Sequence, residues 1–399
     1  MSAAPNLPSL PVDRLLKGSR TIASGVPEGF DAVLLGELAR QAGAPVLHVA
    51  RDANRLATLA DAISFFAPDL QVLSFPAWDS VPYDRVAPNA EIIATRIETL
   101  AALTERAPDH KSSLVLVTTV NAVLQRVPPP AFIAGANLNL ASGSVMSMQD
   151  LIGRLETSGY GRAGTVTDPG QYAVRGGILD LYPPGGQPVR LDFFGDTLES
   201  LRAFDPDTQR TEARLDSIHF LPMSEVSLTP DVRTNFRQRY VELFGTVKGD
   251  DPLYEAISAG QQHQGMEHWL PLFHDKLATL FDYLPDAVVT LDPLVDDARE
   301  SRIEQSPTTM MPAQTRLNAK PSARRHIILS QLTACFSPRQ TGRARLAGAR
   351  WSRSTLSSGR RRGLRMSFRS AGAKGVRFQP NGRPRTPMSS MRLSLMQRV

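Results

Sequence analysis

Apolar and polar positions change rhythm several times along this chain. Between about residues 21 and 127, short apolar runs alternate with stretches of 3.6-residue period. Segments 45–50, 72–75 and 114–119 are continuous runs dominated by apolar residues, Val and Leu prominent among them, which predicts strands covered on both faces, as in a parallel α/β layer. Segments 30–41, 53–66 and 89–104 predict the intervening helices. The last follows Pro88, carries Glu91 in its first turn and repeats apolar residues at Ile93, Ile97 and Leu100. Between strand and helix, FPAWDSVPYDRVAPNAE predicts a Pro-punctuated loop. Its Trp78, Asp79, Tyr83 and Asp84 either carry function or, for the aromatics, plug a gap.

From residue 136 the pattern becomes one of strands. A strand over 136–140, a turn at 142–144 and a helix over 148–157 precede a β-meander with strands at 177–182, 189–194 and 198–204, separated by PPGGQP, GD and DPDTQ. Side chains two apart share a face, so Leu191 and Phe193 point one way while Arg190, Asp192 and Phe194 point the other. Arginine beside a large aromatic on the wet face has the composition of a protein-binding hot spot. The plain alternative is an Arg190–Asp192 surface pair beside a partly buried Phe194. After Pro222 the pattern is helical at 231–244 and 252–259, and a strand at 287–291 returns the chain to an α/β layer. The simplest architecture is an inserted α+β domain flanked by two α/β pieces, with no internal repeat.

Composition adds a boundary. The 399 residues carry a net charge of +6, but all 39 acidic residues lie at or before Glu304. Residues 1–304 hold 25 lysines and arginines against those 39 acids, a balance of −14, whereas residues 305–399 hold 20 cations and no acid. That last stretch lacks any sustained period and is expected to have no packed fold. Two origins fit it: a basic arm that binds nucleic acid through phosphate neutralisation, with Trp351, Phe368 and Phe378 for stacking, or translation in a shifted frame of G+C-rich DNA. Cys335, the single cysteine, excludes a disulfide framework and Cys-based zinc. The longest apolar runs are strand-length, so a cytoplasmic protein without membrane spans is expected.

Catalytic apparatus is not visible. A nucleotide-binding α/β domain announces itself with G-x-x-x-x-G-K-[ST], and no Gly-Lys-Ser or Gly-Lys-Thr occurs. Ahead of the first helix the chain reads Gly25 to Gly29, then Phe30 and Asp31, where Glu28 and Asp31 would repel phosphate. Gly159, Gly161 and Gly164 satisfy G-x-G-x-x-G but follow a helix and precede a strand, the reverse of a dinucleotide fingerprint. His263, His268 and His274 are too irregularly spaced to share a helix face for a metal, and Asp296–Asp297 reads as solvated surface.

Four segments, FPAWDSVPYDRVAPNAEIIATRIETLAAL, LVLVTTVNAVLQRV, YAVRGGILDLYPPGGQPVRLDFFGDTLESLRAFDPDTQRT and MEHWLPLF, carry a family resemblance. Over residues 15–304 the chain resembles the N-terminal part of the bacterial transcription-repair coupling factors (Mfd proteins). The resemblance implies a RecA-like, UvrB-like α/β domain without a nucleotide site, split by a small domain that binds the repair protein UvrA. It divides the chain into an arm (1–18), the α/β domain's first part (19–136), the UvrA-binding insert (137–220), the α/β domain's second part (221–305) and the basic tail (306–399). In the family the UvrA surface uses an arginine of the Y-A-x-R-G segment and the arginine and second phenylalanine of R-L-D-F-F, here Arg175, Arg190 and Phe194. RNA polymerase and DNA as partners, and ATP with Mg²⁺ as cofactor, belong to further family domains whose motifs do not follow here. The expectation is a truncated or frame-shifted, non-enzymatic UvrA-recruiting adaptor with an unmasked surface and no cofactor or metal, the alternative being nucleic-acid binding through the tail.

Overall fold

The computed structural model describes residues 21–302 except 24, 25, 81–85, 107–112 and 248–250, together with Val12 and Leu16. Gly25, Tyr83, Asp84, the rest of the N-terminal arm, Cys335 and the basic tail lie outside the described residues. The fold mixes helices with one parallel sheet, one two-stranded antiparallel sheet and one six-stranded sheet that is antiparallel except for its last, parallel pair. Among the described residues no helix is long and apolar enough to cross a membrane.

The parallel sheet has the order β12-β1-β3-β2, from Val288–Leu291, Val46–Ala50, Leu114–Thr119 and Gln71–Phe75. Its central strands β1 and β3 are buried along their whole length, as their predominantly apolar sequences suit, with His48, Thr118 and Thr119 as buried polar members. On one face, α1 (Phe30–Ala42) and α2 (Ala53–Phe66) bury Leu35, Leu38, Leu59 and Ile63 against Val46, Val115 and Val117. On the other, α3 (Ala90–Glu105) packs Leu100 and Leu103 against Leu47, Leu114 and Leu116. Local chemistry sets the helix starts: the Asp52 carboxylate accepts from Arg55 N at 2.8 Å, and the Asn89 side chain accepts from Glu91 N at 2.8 Å. Strand β12 lies 169 residues beyond β3 in the chain yet pairs in parallel register with β1, Val46 opposite Val288 and Val49 opposite Leu291.

The intervening chain holds short helices α4 (Val120–Leu124) and α5 (Pro130–Ala136), then β4 (Leu138–Ala141) and α6 (Met148–Thr157). Here the expected strand over 136–140 is corrected: Ala136 closes α5, whose start carries Pro130 in its first turn, and the strand occupies Leu138–Ala141. A six-stranded sheet follows, β5 (Gly161–Arg162), β6 (Gln171–Arg175), β7 (Ile178–Leu181), β8 (Val189–Phe194), β9 (Thr197–Phe204) and β10 (Thr211–Leu215), in spatial order β10-β9-β8-β7-β6-β5. The three meander strands read from sequence are its middle members. Its inner face buries Tyr172, Leu179, Leu181, Val189, Leu191 and Leu201 under Leu151 and Leu155 of α6. Strand β11 (Ser217–Phe220) then zips antiparallel onto β4, Leu138 opposite Phe220, so this sheet's entry and exit strands lie side by side.

After β11 come α7 (Pro230–Phe244), α8 (Pro252–Ala259), a 3₁₀ turn at Met266–Trp269, α9 (Leu270–Phe273) and α10 (Leu280–Tyr283). Phe236, Tyr240, Trp269 and Phe273 form their shared aromatic core. Helix α3 seats the six-stranded sheet's connections. Arg96, fully buried, donates to Glu225 Oε1 at 2.6 Å, to Gln125 Oε1 at 3.0 Å and to the Pro76 carbonyl at 2.9 Å. On the same helix, the Glu98 carboxylate lies so close to Gly185 of the β7–β8 turn that a Cβ there would stand 2.4 Å from it. That turn position, at φ +62°, favours glycine, and any larger residue there would also push the Glu98 carboxylate aside.

Candidate functional site

The outer face of the six-stranded sheet brings the expected residues together through its register. One cross-strand row runs Ala173, Asp180, Arg190, Arg202 and Arg214. The next holds Arg175, Ile178, Asp192 and Ser200. Phe194 stands one row further along β8, opposite Thr197. Because directly opposed residues point the same way, Arg175, Arg190 and Phe194 share one face. A bulge in β9 between the partners of Asp192 and Phe193 leaves the alternation along β8 intact. Glycine makes the flanking turns possible: Gly176 follows Arg175 at φ +62°, and a Cβ on Gly177 would stand 2.9 Å from the Phe193 carbonyl.

The three residues differ in their surroundings. Phe194 is 75% exposed, an unusual cost for a phenyl ring that makes no core contact. Arg175 is exposed and donates only to the Gly164 carbonyl at 3.3 Å and the Thr165 hydroxyl at 3.1 Å. Arg190 is held on all sides. Its Nε and Nη2 donate to the two oxygens of Asp180 at 2.7 and 3.0 Å, Nη1 donates to Gln209 O and Thr211 Oγ1, and the guanidinium lies 5.0 Å from the Phe204 ring centre. The hydrogen-bonded Asp180 carboxylate raises the Arg190 pKa further above its ordinary value. This overturns the plain alternative on both counts. The partner of Arg190 is Asp180, directly opposite on β7, while Asp192 pairs with Arg202 at 2.5 Å; and Phe194 is exposed. Arg190 takes the carboxylate directly opposite it, and Asp192 takes the arginine diagonally across on β9, so both pairs form between strands and not along one.

Asp180, Arg202 and Arg214 were not singled out from sequence. Alternation places Arg202 on the outer face of its strand, but only the register shows which residues stand opposite Arg190. Asp180 falls in an apolar run, ILDL, and its carboxylate is buried because Arg190 covers it.

A second constellation lies at the start of α1, beside the C-terminal ends of β1 and β12. Asp31 Oδ1 accepts from Gly29 N and Ala32 N, while its other oxygen is paired with the buried Arg55. Arg55 Nε also reaches Asp292 Oδ1 at 3.3 Å, and Arg51 reaches Asp292 Oδ2 at 3.1 Å. The helix amides that would face a phosphate are thus taken by a carboxylate of the same chain, and two arginines neutralise the acids. Simple repulsion by Glu28 and Asp31 is therefore not the whole account, since Asp31 is compensated while Glu28 is largely exposed.

Other residues prominent in the sequence are structural. Trp78 is buried, its indole Nε1 donating to Glu225 Oε1 at 3.3 Å, which fits the gap-filling alternative. His268 meets the Val86 carbonyl and His274 the Glu225 carbonyl. Gly159 turns the chain at φ +100° against Met223 and Ser224. No group of three metal-ligating side chains occurs among the described residues.

This face lies within a segment that is similar to a known family model. Residues 138–226, which include the whole six-stranded sheet, match the family model described as the UvrB interaction domain. The chain is 33% identical over 290 residues to the transcription-repair-coupling factor of Haemophilus influenzae, covering 72% of this chain and 24% of that protein. It is 36% identical over 256 residues to the Escherichia coli protein of the same name, covering 64% and 22%, and 25% identical over 280 residues to that of Bacillus subtilis, covering 66% and 23%. The chain spans about a quarter of the length of the curated relatives it matches.

Proposed function

We propose that this chain, related to the N-terminal part of the transcription-repair-coupling factors, recruits UvrA through the outer face of its six-stranded sheet and serves in coupling transcription to excision repair. One observation carries the reading: the register puts Arg175, Arg190 and Phe194 on a single solvent-facing surface within the residues that match the UvrB interaction domain. An exposed phenyl ring on the same face as a guanidinium without a carboxylate partner is what a protein hot spot offers before its partner arrives. The rest of the described chain acts as support. Its four parallel strands form a RecA-like, UvrB-like layer split by the insert, and the Arg55, Asp31 and Asp292 cluster stands where nucleotide phosphates would otherwise meet α1. The proposed module therefore uses no ATP or metal and has no catalytic residue of its own.

Titration of the purified protein with UvrA tests the assignment. Arg175→Ala and Phe194→Ala are each expected to weaken binding by at least tenfold, about 1.4 kcal/mol, without lowering the melting temperature. Wild-type affinity in the double variant would refute the site. A second reading rests on the 20 cations and absent acids of residues 305–399, which suit nonspecific nucleic-acid binding. Deleting residues 306–399 separates the two, since salt-sensitive DNA affinity depends on the tail and UvrA affinity on the sheet.

A further inference from the structure

The row that contains Phe194 does not end at β9. Beyond Thr197, on the side away from Phe194, stands Val145, joined to it by an isolated antiparallel bridge. Residues 143–146 run beside the start of β9 as a short extra strand: Gly143 N donates to Leu198 O at 2.8 Å, Leu198 N to Ser144 O at 2.9 Å, and Met146 N to Asp196 O at 2.8 Å. Phe194, Thr197 and Val145 are therefore consecutive members of one row on the outer face. Val145 is 80% exposed and Phe194 is 75% exposed, so two large apolar side chains are set out in water at the same hairpin tip. With strands about 4.8 Å apart, they form a bar roughly 10 Å long across Thr197.

Charge completes the surface. The two rows behind the bar contain four arginines, Arg175, Arg190, Arg202 and Arg214, against two aspartates, Asp180 and Asp192, leaving those rows positive by two. Both aspartates are spent on Arg190 and Arg202. Arg175 and Arg214 have no carboxylate partner among the described residues, and both are exposed. They stand on β6 and β10, four inter-strand steps or about 19 Å apart.

We infer that Val145 and Arg214 belong to the UvrA-docking surface, which accepts an apolar patch of UvrA on the Phe194–Thr197–Val145 bar and carboxylates of UvrA at Arg175 and Arg214. This rests on the proposed UvrA reading and extends it from one corner of the sheet to its full width. A protein partner fits better than nucleic acid. A phosphate backbone gains nothing from exposed Val145, and the exposed Asp196 and Glu199 beside the bar repel it, whereas a protein surface supplies apolar atoms and carboxylates together. Arg214 also sits on the outermost strand of the sheet, where an open edge bears a charge rather than an apolar residue.

The test uses the full chain and purified UvrA, with Phe194→Ala as reference for the proposed reading. Val145→Asp and Arg214→Glu are each expected to weaken binding tenfold or more, Val145→Ala less, and Arg214→Glu with a reduced dependence on salt; all are exposed positions whose variants should melt as the wild type does. If Phe194→Ala weakens binding but Val145→Asp and Arg214→Glu do not, the extension is overturned while the docking reading stands. If the wild type fails to bind UvrA, or Phe194→Ala binds as tightly as wild type, both fall. Should the two substitutions alter only self-association, or only binding to a DNA duplex, the face serves a different partner and the inference is likewise overturned.

Discussion

Replacing Glu225 by glutamine removes one charge from an ion pair in which neither side chain reaches solvent. Arg96 and Glu225 meet at 2.6 Å, both at zero exposure, so the neutral amide leaves a buried guanidinium without its counter-charge. Breaking a buried pair from one side costs about 3–5 kcal/mol. Here the lower end is expected, about 3 kcal/mol, because Arg96 keeps the Pro76 carbonyl, Gln125 Oε1 and the Phe75 ring at 4.3 Å, and the amide oxygen still accepts from Arg96 and Trp78. Urea unfolding followed by far-UV circular dichroism reads this directly. With a slope near 3 kcal/mol per molar, the midpoint should fall by about 1 M. The double variant Arg96→Met/Glu225→Leu removes both charges and should lose much less than Glu225→Gln. A Glu225→Gln midpoint within about 0.2 M of wild type would show that the charge does not matter and would refute electrostatic anchoring of α3 to the chain that follows β11.

Glu267 supplies a pH test. Burial, with Glu225 nearby, pushes its carboxyl up to about 7 although a backbone hydrogen bond works the other way. The unfolded chain releases this proton near pH 4.5 and the folded one near 7, so the contribution is fully present below 4.5 and is lost as pH rises through 7, a change of roughly 3 kcal/mol. Glu267→Gln should therefore differ from wild type far less at pH 5 than at pH 8, where it should melt higher; equal melting temperatures at pH 8 would count against a buried, protonated acid. His48, lowered to about 4 by burial, has the opposite sign, its neutral-state advantage being lost as pH falls from 6.5 to 4. Comparing Glu267→Gln with wild type at each pH cancels that contribution. On the outer face, Arg190→Ala should cost about 1–3 kcal/mol of stability by stranding the buried Asp180 carboxylate, while Phe194→Ala should leave melting unchanged; thermal denaturation with UvrA titration of the same samples checks both.

Period and end signals made most of the large elements legible. Helix α2 matches its expected limits because Asp52 caps it and the apolar period stops at Phe66. The fully buried β3 matches too, because four consecutive apolar residues, Leu114 to Val117, leave neither face polar. What stayed hidden were elements without such signals. Strand β10 is exposed almost throughout and reads as polar chain, β5 has only two residues, and β4 was displaced because the apolar residues around Ala136 suit a short helix as well as a strand. These pieces depend on partners elsewhere in the chain, as in the Leu138–Phe220 register, and local pattern does not encode them.

The candidate face was half legible for the same reason. Alternation along β8 orients Arg190 and Phe194 correctly, but assigns Asp192 to Arg190 because it sees one strand at a time. The real partner, Asp180, lies one strand away in the same row, and its identity changes the role of the arginine. A guanidinium already held by a bidentate carboxylate, two further acceptors and an aromatic ring loses little freedom when another protein covers it. Arg175, with only a carbonyl and a hydroxyl, retains the capacity to form a new ion pair, and Phe194 retains its whole ring to bury. In the proposed docking, Arg190 is thus the rigid floor of the surface, with Arg175 and Phe194 as the groups that gain most from contact. The parallel layer is stiffened in a comparable way. Because Arg55 in the first turn of α2 is joined to Asp292 just after β12, 237 residues away in the chain, helix and strand end are held together and the layer is stiffened at that edge.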